Sequence, residues 1–418
     1  MQSSIGSVSI TGHLLTERIA QLARIGADPG GGVTRLAYSA EDVRARRLVA
    51  DWMAAAGLEV WTDAATNLFG RLPGSDRDAP ALLSGSHLDS VVQAGPLDGP
   101  AGVVTALTVA EALQQAGRQL RHDLVVVAFS NEEGARGTTG MAGSKAMAGR
   151  LSLADLAHVD AEGVTLSDRI RGAGGDPARI AEAAWPPERI AALIELHIEQ
   201  GPVLESSGAR IGVVNGVTGQ VGVIASITGA ANHAGTTPMS GRRDASVAAA
   251  RLILAVQALA DDGHVRVATT GTLSIGPGVR NVIPGTATVG IEIRDDVADR
   301  MESALAILDQ RACEIAATTG TTITLRRGDL QPPIQMDSAL AGYIADAADA
   351  LGAKRLTMYS GAGHDAQIMA GIARAAMIFV PSINGVSHAP GEATAPEDLA
   401  LGAEVLMRAL LEADAQLM

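Results

Sequence analysis

The stretch Ser84-Gly85-Ser86-His87-Leu88-Asp89-Ser90, followed by Gly95-Pro96-Leu97-Asp98-Gly99, decides how this chain is read. Ala81 to Leu83 before it form a short apolar run, and a long apolar-periodic segment comes after it, so the order is strand, loop, helix start. The loop carries His87, Asp89 and Asp98. Imidazole suits zinc, manganese or cobalt, one carboxylate can orient the ring, and another can bridge two ions. Taken alone, His87-Leu88-Asp89 fits an ordinary hydrogen-bonded polar turn more readily than a metal site.

Working outward, residues 39–57 have the punctuation of a helix, with Ser39 as N-cap, Asp42 three residues on and Gly57 at the end. Residues 58–72 alternate loosely and suggest strands. Pro100 sits where a first helical turn tolerates proline, and Val103, Leu107, Ala110 and Leu113 carry the helical period to Gly117. Asp123 to Ser130 is a continuous apolar run, the signature of a strand buried on both faces. It ends at Asn131-Glu132-Glu133-Gly134. Adjacent carboxylates there are costly unless a positive partner compensates them, although a solvated loop reads the same way. Farther on, Glu195, His197 and Glu199 share one face of a strand whose other face is Ile194, Leu196 and Ile198. Ser360-Gly361-Ala362-Gly363-His364-Asp365 is a glycine-rich turn able to offer N–H groups to an anion, and His388 follows the strand Ala375 to Val380. His87, the Glu132-Glu133 pair, His197 and His388 thus all fall at or just past strand ends, which in an open parallel sheet converge on the ligand crevice.

Strands alternating with helices imply an α/β fold, a mostly parallel-containing sheet flanked by helices. Between about 213 and 327 the texture changes: strands near 221, 265–275, 286–295 and 321–326 alternate with helices over 243–259 and 297–317, a small α+β sandwich inserted into the larger domain. The expected organisation is 1–212 and 328–418 as two parts of one catalytic domain, with 213–327 between them. The insert has its own polar groups, Asn232-His233, Asn281 and Arg294, for which a turn or a surface charge is an equally plain reading.

Composition narrows the function classes. The chain has 418 residues, enough for two domains, and its core must be aliphatic because aromatics are only 2% against 47% hydrophobic. A net charge of −14 argues against nucleic acid or an anionic membrane as partner. A single cysteine, Cys313, rules out an internal disulfide framework and suits a reducing compartment. The first 24 residues have no unbroken apolar core of the leader type, and no run approaches the roughly 18 apolar residues of a membrane span. The expectation is a cytoplasmic protein.

The ordered set Gly85 to Ser90, Asp98-Gly99, Ser130 to Gly134, Glu195 to Pro202, Asn232 to Met239, Ser360 to Asp365 and Ser387-His388 resembles the amidase, hydantoinase and carbamoylase branch of the M20 zinc-peptidase-like superfamily. That branch contains N-carbamoyl-L-amino-acid hydrolases, allantoate amidohydrolases and β-ureidopropionases. The resemblance implies two divalent metal ions, zinc or manganese, cobalt or nickel. Asp98 would bridge them, His87 and His197 would complete one ligand set, Glu133 and His388 the other, and Asp89 would steady His87. Glu132 would be the general base. On the insert, which the resemblance makes a lid and a homodimer contact, His233 would serve the oxyanion in the other subunit's site. Asn281 and Arg294 would hold the substrate carboxylate, with Gln200, Gly361 and Ala362 as further substrate contacts. His197 stands where peptidase relatives usually carry an acid, which favours a small ureido or carbamoyl acid as substrate over a peptide or acyl amino acid. Arg136 is followed by Gly137 where many relatives have an aromatic, which reshapes one wall of the site. A non-catalytic binding protein on the same fold is disfavoured because each ligand type and the base are present.

Overall fold

The structure, a computed structural model, describes residues 10–417. The first nine residues, part of the expected first domain and of the segment read as lacking a leader, lie outside the described residues, as does Met418. The chain divides into two compact units, one ending at Gly216 and resuming at Gln335, the other Val217–Ile334.

The first unit is built on four neighbouring parallel strands: β1 (Ala81–His87), β2 (Leu124–Phe129), β3 (Ile190–Ile198) and β4 (Arg374–Val380), in the order β2-β1-β3-β4. Every residue of β1 and β2 is buried, as expected for strands covered on both faces. Antiparallel strands extend the sheet, Leu68–Leu72 beside β2 and Ile211–Val217 beside β4. Helix Pro100–Gln115 starts at the proline and is buried along almost its whole length. Ser39 caps helix Ala40–Ala55 by accepting the Asp42 N–H at 3.1 Å. The core is aliphatic, made of Leu, Val, Ile and Ala from these strands and from helices including Pro396–Gln416. Among the described residues no helix is long and apolar enough to cross a membrane.

The second unit is a four-stranded antiparallel sheet in the order Thr322–Arg327, Gly219–Thr228, Thr286–Asp295, Val267–Gly276. Val221, Val223, Ala225 and Ile227 alternate with exposed or half-exposed residues and meet helices Ala245–Asp261 and Ala298–Thr319. Val289, Ile291 and Ile293 are buried, and Arg294 points to the other, polar face.

Both expected domain boundaries shift by a few residues, for reasons visible in the backbone. Residues 211–216 belong to the first unit because Val214 pairs with Met377 of β4. Residues 328–334 join the second because Gln331 and Gln220 exchange backbone hydrogen bonds of 2.9 and 3.0 Å.

Candidate metal centre

The carboxyl ends of the four parallel strands carry the constellation. β1 ends on His87 itself, and its ring Nδ1 lies 2.9 Å from the Asp89 carbonyl. His197, near the end of β3, places Nδ1 2.9 Å from the Ile198 carbonyl. A carbonyl only accepts, so each Nδ1 carries the proton and each Nε2 keeps its lone pair for another partner. Both Nε2 atoms face the same oxygen of Asp98, at 3.6 Å for His87 and 3.2 Å for His197. The other Asp98 oxygen lies 2.9 Å from His388 Nε2, and that nitrogen is 3.6 Å from Glu133. Two groups of possible metal donors therefore share one carboxylate: His87, Asp98 and His197, and Asp98, Glu133 and His388. The approach depends on Gly99, at φ 81°, where a Cβ would sit 2.5 Å from the His87 ring.

Asp89 meets the His87 ring through its backbone carbonyl, while its carboxylate lies 4.0 Å from His87 Nδ1 and accepts the Glu132 and Glu133 N–H groups, both at 3.2 Å. The loop after β2 is thereby tied to the loop after β1. Glu132 places a carboxylate oxygen 3.8 Å from His87 Nε2.

The remaining expected residues divide by unit. Gln200, with φ 60°, donates from its side chain to Asp98 at 2.8 Å, so it touches the shared carboxylate directly. The Ala362 N–H, expected to face an anion, is taken by Ser360 Oγ at 3.1 Å, and that turn folds onto itself through the Ala362 carbonyl. Gly361 lies in the same turn. His233, Asn281 and Arg294 belong to the inserted unit. His233 Nδ1 accepts the Gly235 and Thr236 N–H groups at 3.0 and 3.2 Å, which puts the ring proton on Nε2, a donor suited to an oxyanion. Val282, next to Asn281, pairs with His233 in a short ribbon, and Arg294 meets Glu292 at 2.8 Å.

Sequence reasoning missed four supports. Arg46 is buried and donates to the Ala128 and Phe129 carbonyls at 3.0 and 2.8 Å, steadying the end of β2. Buried Glu195 accepts Ser86 Oγ at 2.6 Å and the Ala366 N–H at 3.0 Å. It forms a third donor triplet with His197 and His364, but both its oxygens are engaged, so it ties β1 to β3. Ring packing of His364 on His197, centroids 4.6 Å apart, closes that side. Glu392 binds the loop after β1 from behind. Glu195 had a signal in its place on the His197 face and His364 in its glycine-rich turn; Arg46 and Glu392 depend on contacts between distant segments.

Electrostatics mark the cluster as one awaiting positive charge. Burial pushes Glu132 well above the usual carboxylate range and Glu133 up to about 7. Burial opposes charge on Asp98, yet the neighbouring His197, His388 and His87 rings hold it well below. The Asp98 hydrogen bond raises His388 to about 9. His197 Nε2 and Glu133 Oε1 are buried with no hydrogen-bond partner among the described residues. Histidine nitrogens and carboxylate oxygens of this kind, with two orphaned donor atoms aimed inward, fit a divalent cation.

With this geometry in place, the chain's family follows: it belongs to peptidase family M20/M25/M40, whose model matches residues 83–412. Among its relatives, it is 43% identical to an N-carbamoyl-L-amino acid amidohydrolase of Geobacillus stearothermophilus over 95% of this chain and 97% of that one. It is 38% identical to an allantoate amidohydrolase of Escherichia coli over 94% and 95% of the two chains. Among solved structures, a hydantoinase/carbamoylase family amidase from Burkholderia multivorans superposes with a TM-score of 0.91 at 35% identity, covering 99% of this chain and all of that one.

Proposed function

We propose that this protein is a binuclear metal-dependent amidohydrolase that cleaves the linear C–N bond of an N-carbamoyl-L-amino acid, giving the amino acid, carbon dioxide and ammonia. The observation that carries this reading is the sharing of Asp98 between two donor groups, with Glu132 beside them. The likeness to the Geobacillus enzyme supports the substrate class. His87, Asp98 and His197 would hold one ion and Asp98, Glu133 and His388 the other. Bound there, a pair of divalent cations polarises a carbonyl and makes water more acidic.

This chain's own residues do the rest. Glu132 takes a proton from the attacking water and returns it to the leaving nitrogen, and burial suits it to that exchange by raising its proton affinity. The Nε2 proton of His233 stabilises the developing oxyanion, contributed across a homodimer formed by the inserted unit. Arg294 offers a planar fork to the substrate carboxylate, with Asn281 as its neighbour in recognition. The same reading places the protein in the cytoplasm, in keeping with its single, exposed cysteine.

The likeness to the Escherichia coli enzyme favours allantoate, or another ureido acid such as β-ureidopropionate, as a second reading. The test is a panel of N-carbamoyl-L-amino acids, allantoate, β-ureidopropionate and N-acetyl amino acids with the metal-loaded protein. Ammonia release with the carbamoyl series at the highest kcat/KM is the expected result. Release of free amino acid from the acetyl series alone would replace the proposal with an aminoacylase.

A further inference from the structure

The Asp98 and His388 loops lie 290 residues apart in the chain, yet one buried carboxylate joins them. Glu392 is 4% exposed. Its Oε1 accepts the Leu97 and Asp98 N–H groups at 2.7 and 3.0 Å, and its Oε2 accepts Ser387 Oγ at 2.9 Å. The same Ser387 hydroxyl lies 3.2 Å from the Asp98 carboxylate. Glu392 is thus engaged at both oxygens by residues that flank or include the two ligands, and it is not itself a donor to a cation. At Gly95 an added Cβ would fall 2.1 Å from Glu392 Cβ, so only glycine lets the first loop come this close.

His388 needs such support. It is the one ligand candidate with a half-exposed side chain, and its backbone is left-handed at φ 53°, a conformation that a histidine keeps only when its surroundings hold it. His87 and His197, by contrast, end or lie within buried strands and have their rings fixed by backbone carbonyls.

From this we infer that Glu392 is a positioning residue that locks the His388 loop onto the Asp98 loop and so determines how tightly the Asp98, Glu133 and His388 group holds its cation. The inference rests on the binuclear reading given above. Partners behind metal ligands typically change metal affinity by about 10- to 100-fold when removed. The expected asymmetry follows from geometry: His388 depends on Glu392, whereas His87 and His197 do not.

The experiment is a competition titration of the metal-free full-length chain with Co2+ and a chromophoric chelator, resolving two binding steps. Glu392→Ala is expected to weaken one step by about 10- to 100-fold and the other much less, and Glu392→Gln, which keeps an oxygen for the two N–H groups, to recover most of the loss. Ser387→Ala, on a partly exposed side chain, should weaken the same step by a smaller factor and keeps the test decisive if Glu392→Ala does not fold. Equal weakening of both steps in a folded variant would overturn the inference, as would wild-type affinity in both steps for Ser387→Ala and whichever Glu392 variants fold. Binding of a single Co2+ by the unaltered protein would overturn the binuclear reading itself, a distinguishable result because it needs no variant.

Discussion

In the parallel-sheet unit, His87, Asp98 and His197 are each 2% exposed or less; each ring is fixed by a carbonyl of its own segment, and both rings face Asp98 from a different one. In the inserted unit, His233 and Asn281 are exposed, Arg294 is half-exposed, and the contacts described for His233 come from its own turn or the adjacent ribbon strand. The difference teaches how the two units divide the work under the proposed function. A cluster of acids and histidines is stable inside a protein only if every member is oriented and its charge answered. Groups that meet a substrate can stand on the surface, because the partner that satisfies them arrives later.

The sharpest way to break this division is Glu132→Gln. Turnover should fall by about 10²- to 10⁴-fold with Co2+ stoichiometry unchanged, since the residue is assigned a proton and no ion. Retained turnover would remove it from that part. On the other unit, His233→Ala should lower kcat by about 10²- to 10³-fold, as for loss of an oxyanion donor, again with full metal content. An effect on KM alone would reassign His233 to ground-state binding. Arg294→Lys keeps the charge and loses the fork, so KM for a carbamoyl amino acid should rise about tenfold or more with kcat changed less. Equal KM values would break the carboxylate assignment.

The smallest expected effect concerns stability, and it should be confined to the parallel-sheet unit. Burial raises Glu133 to about 7, and burial together with the nearby Glu195 charge raises Asp365 to about 8. A carboxyl whose pKa is higher folded than unfolded favours the folded state below its unfolded value and gives that stability up as pH rises through its folded value. Metal-free protein in chelator should therefore lose stability as pH rises from about 4, with His388 at about 9 extending the loss, and level off above about pH 9, measured by urea denaturation across that range. Cations answering the same charges should flatten the curve. A metal-free protein as flat as the loaded one would contradict the view that this cluster awaits positive charge.

Much of this was legible along the chain. The buried run Leu124 to Phe129, the proline at 100 and the capped helix after Ser39 each follow from local pattern, and the candidate ligands stand out because strand ends in a parallel sheet converge. Asp89 shows where such reading stops. The resemblance implies only that it steadies His87; the fold shows that its backbone carbonyl meets the ring and its carboxylate accepts the Glu132 and Glu133 N–H groups. Arg46, in sequence one more charge on an amphipathic helix, turns out to anchor the strand that presents those glutamates.

The sequence by itself determined the strand-and-helix alternation, the inserted sandwich and the donor residues at strand ends, because hydrophobic period and residue chemistry are local properties. Only the tertiary structure decided which oxygen of Asp98 faces which histidine, which carboxylates meet in the shared cluster and which act as struts behind it, and that Glu392 joins two loops 290 residues apart. Those outcomes depend on distances of about 3 Å between remote segments, the range over which hydrogen bonds are made or lost.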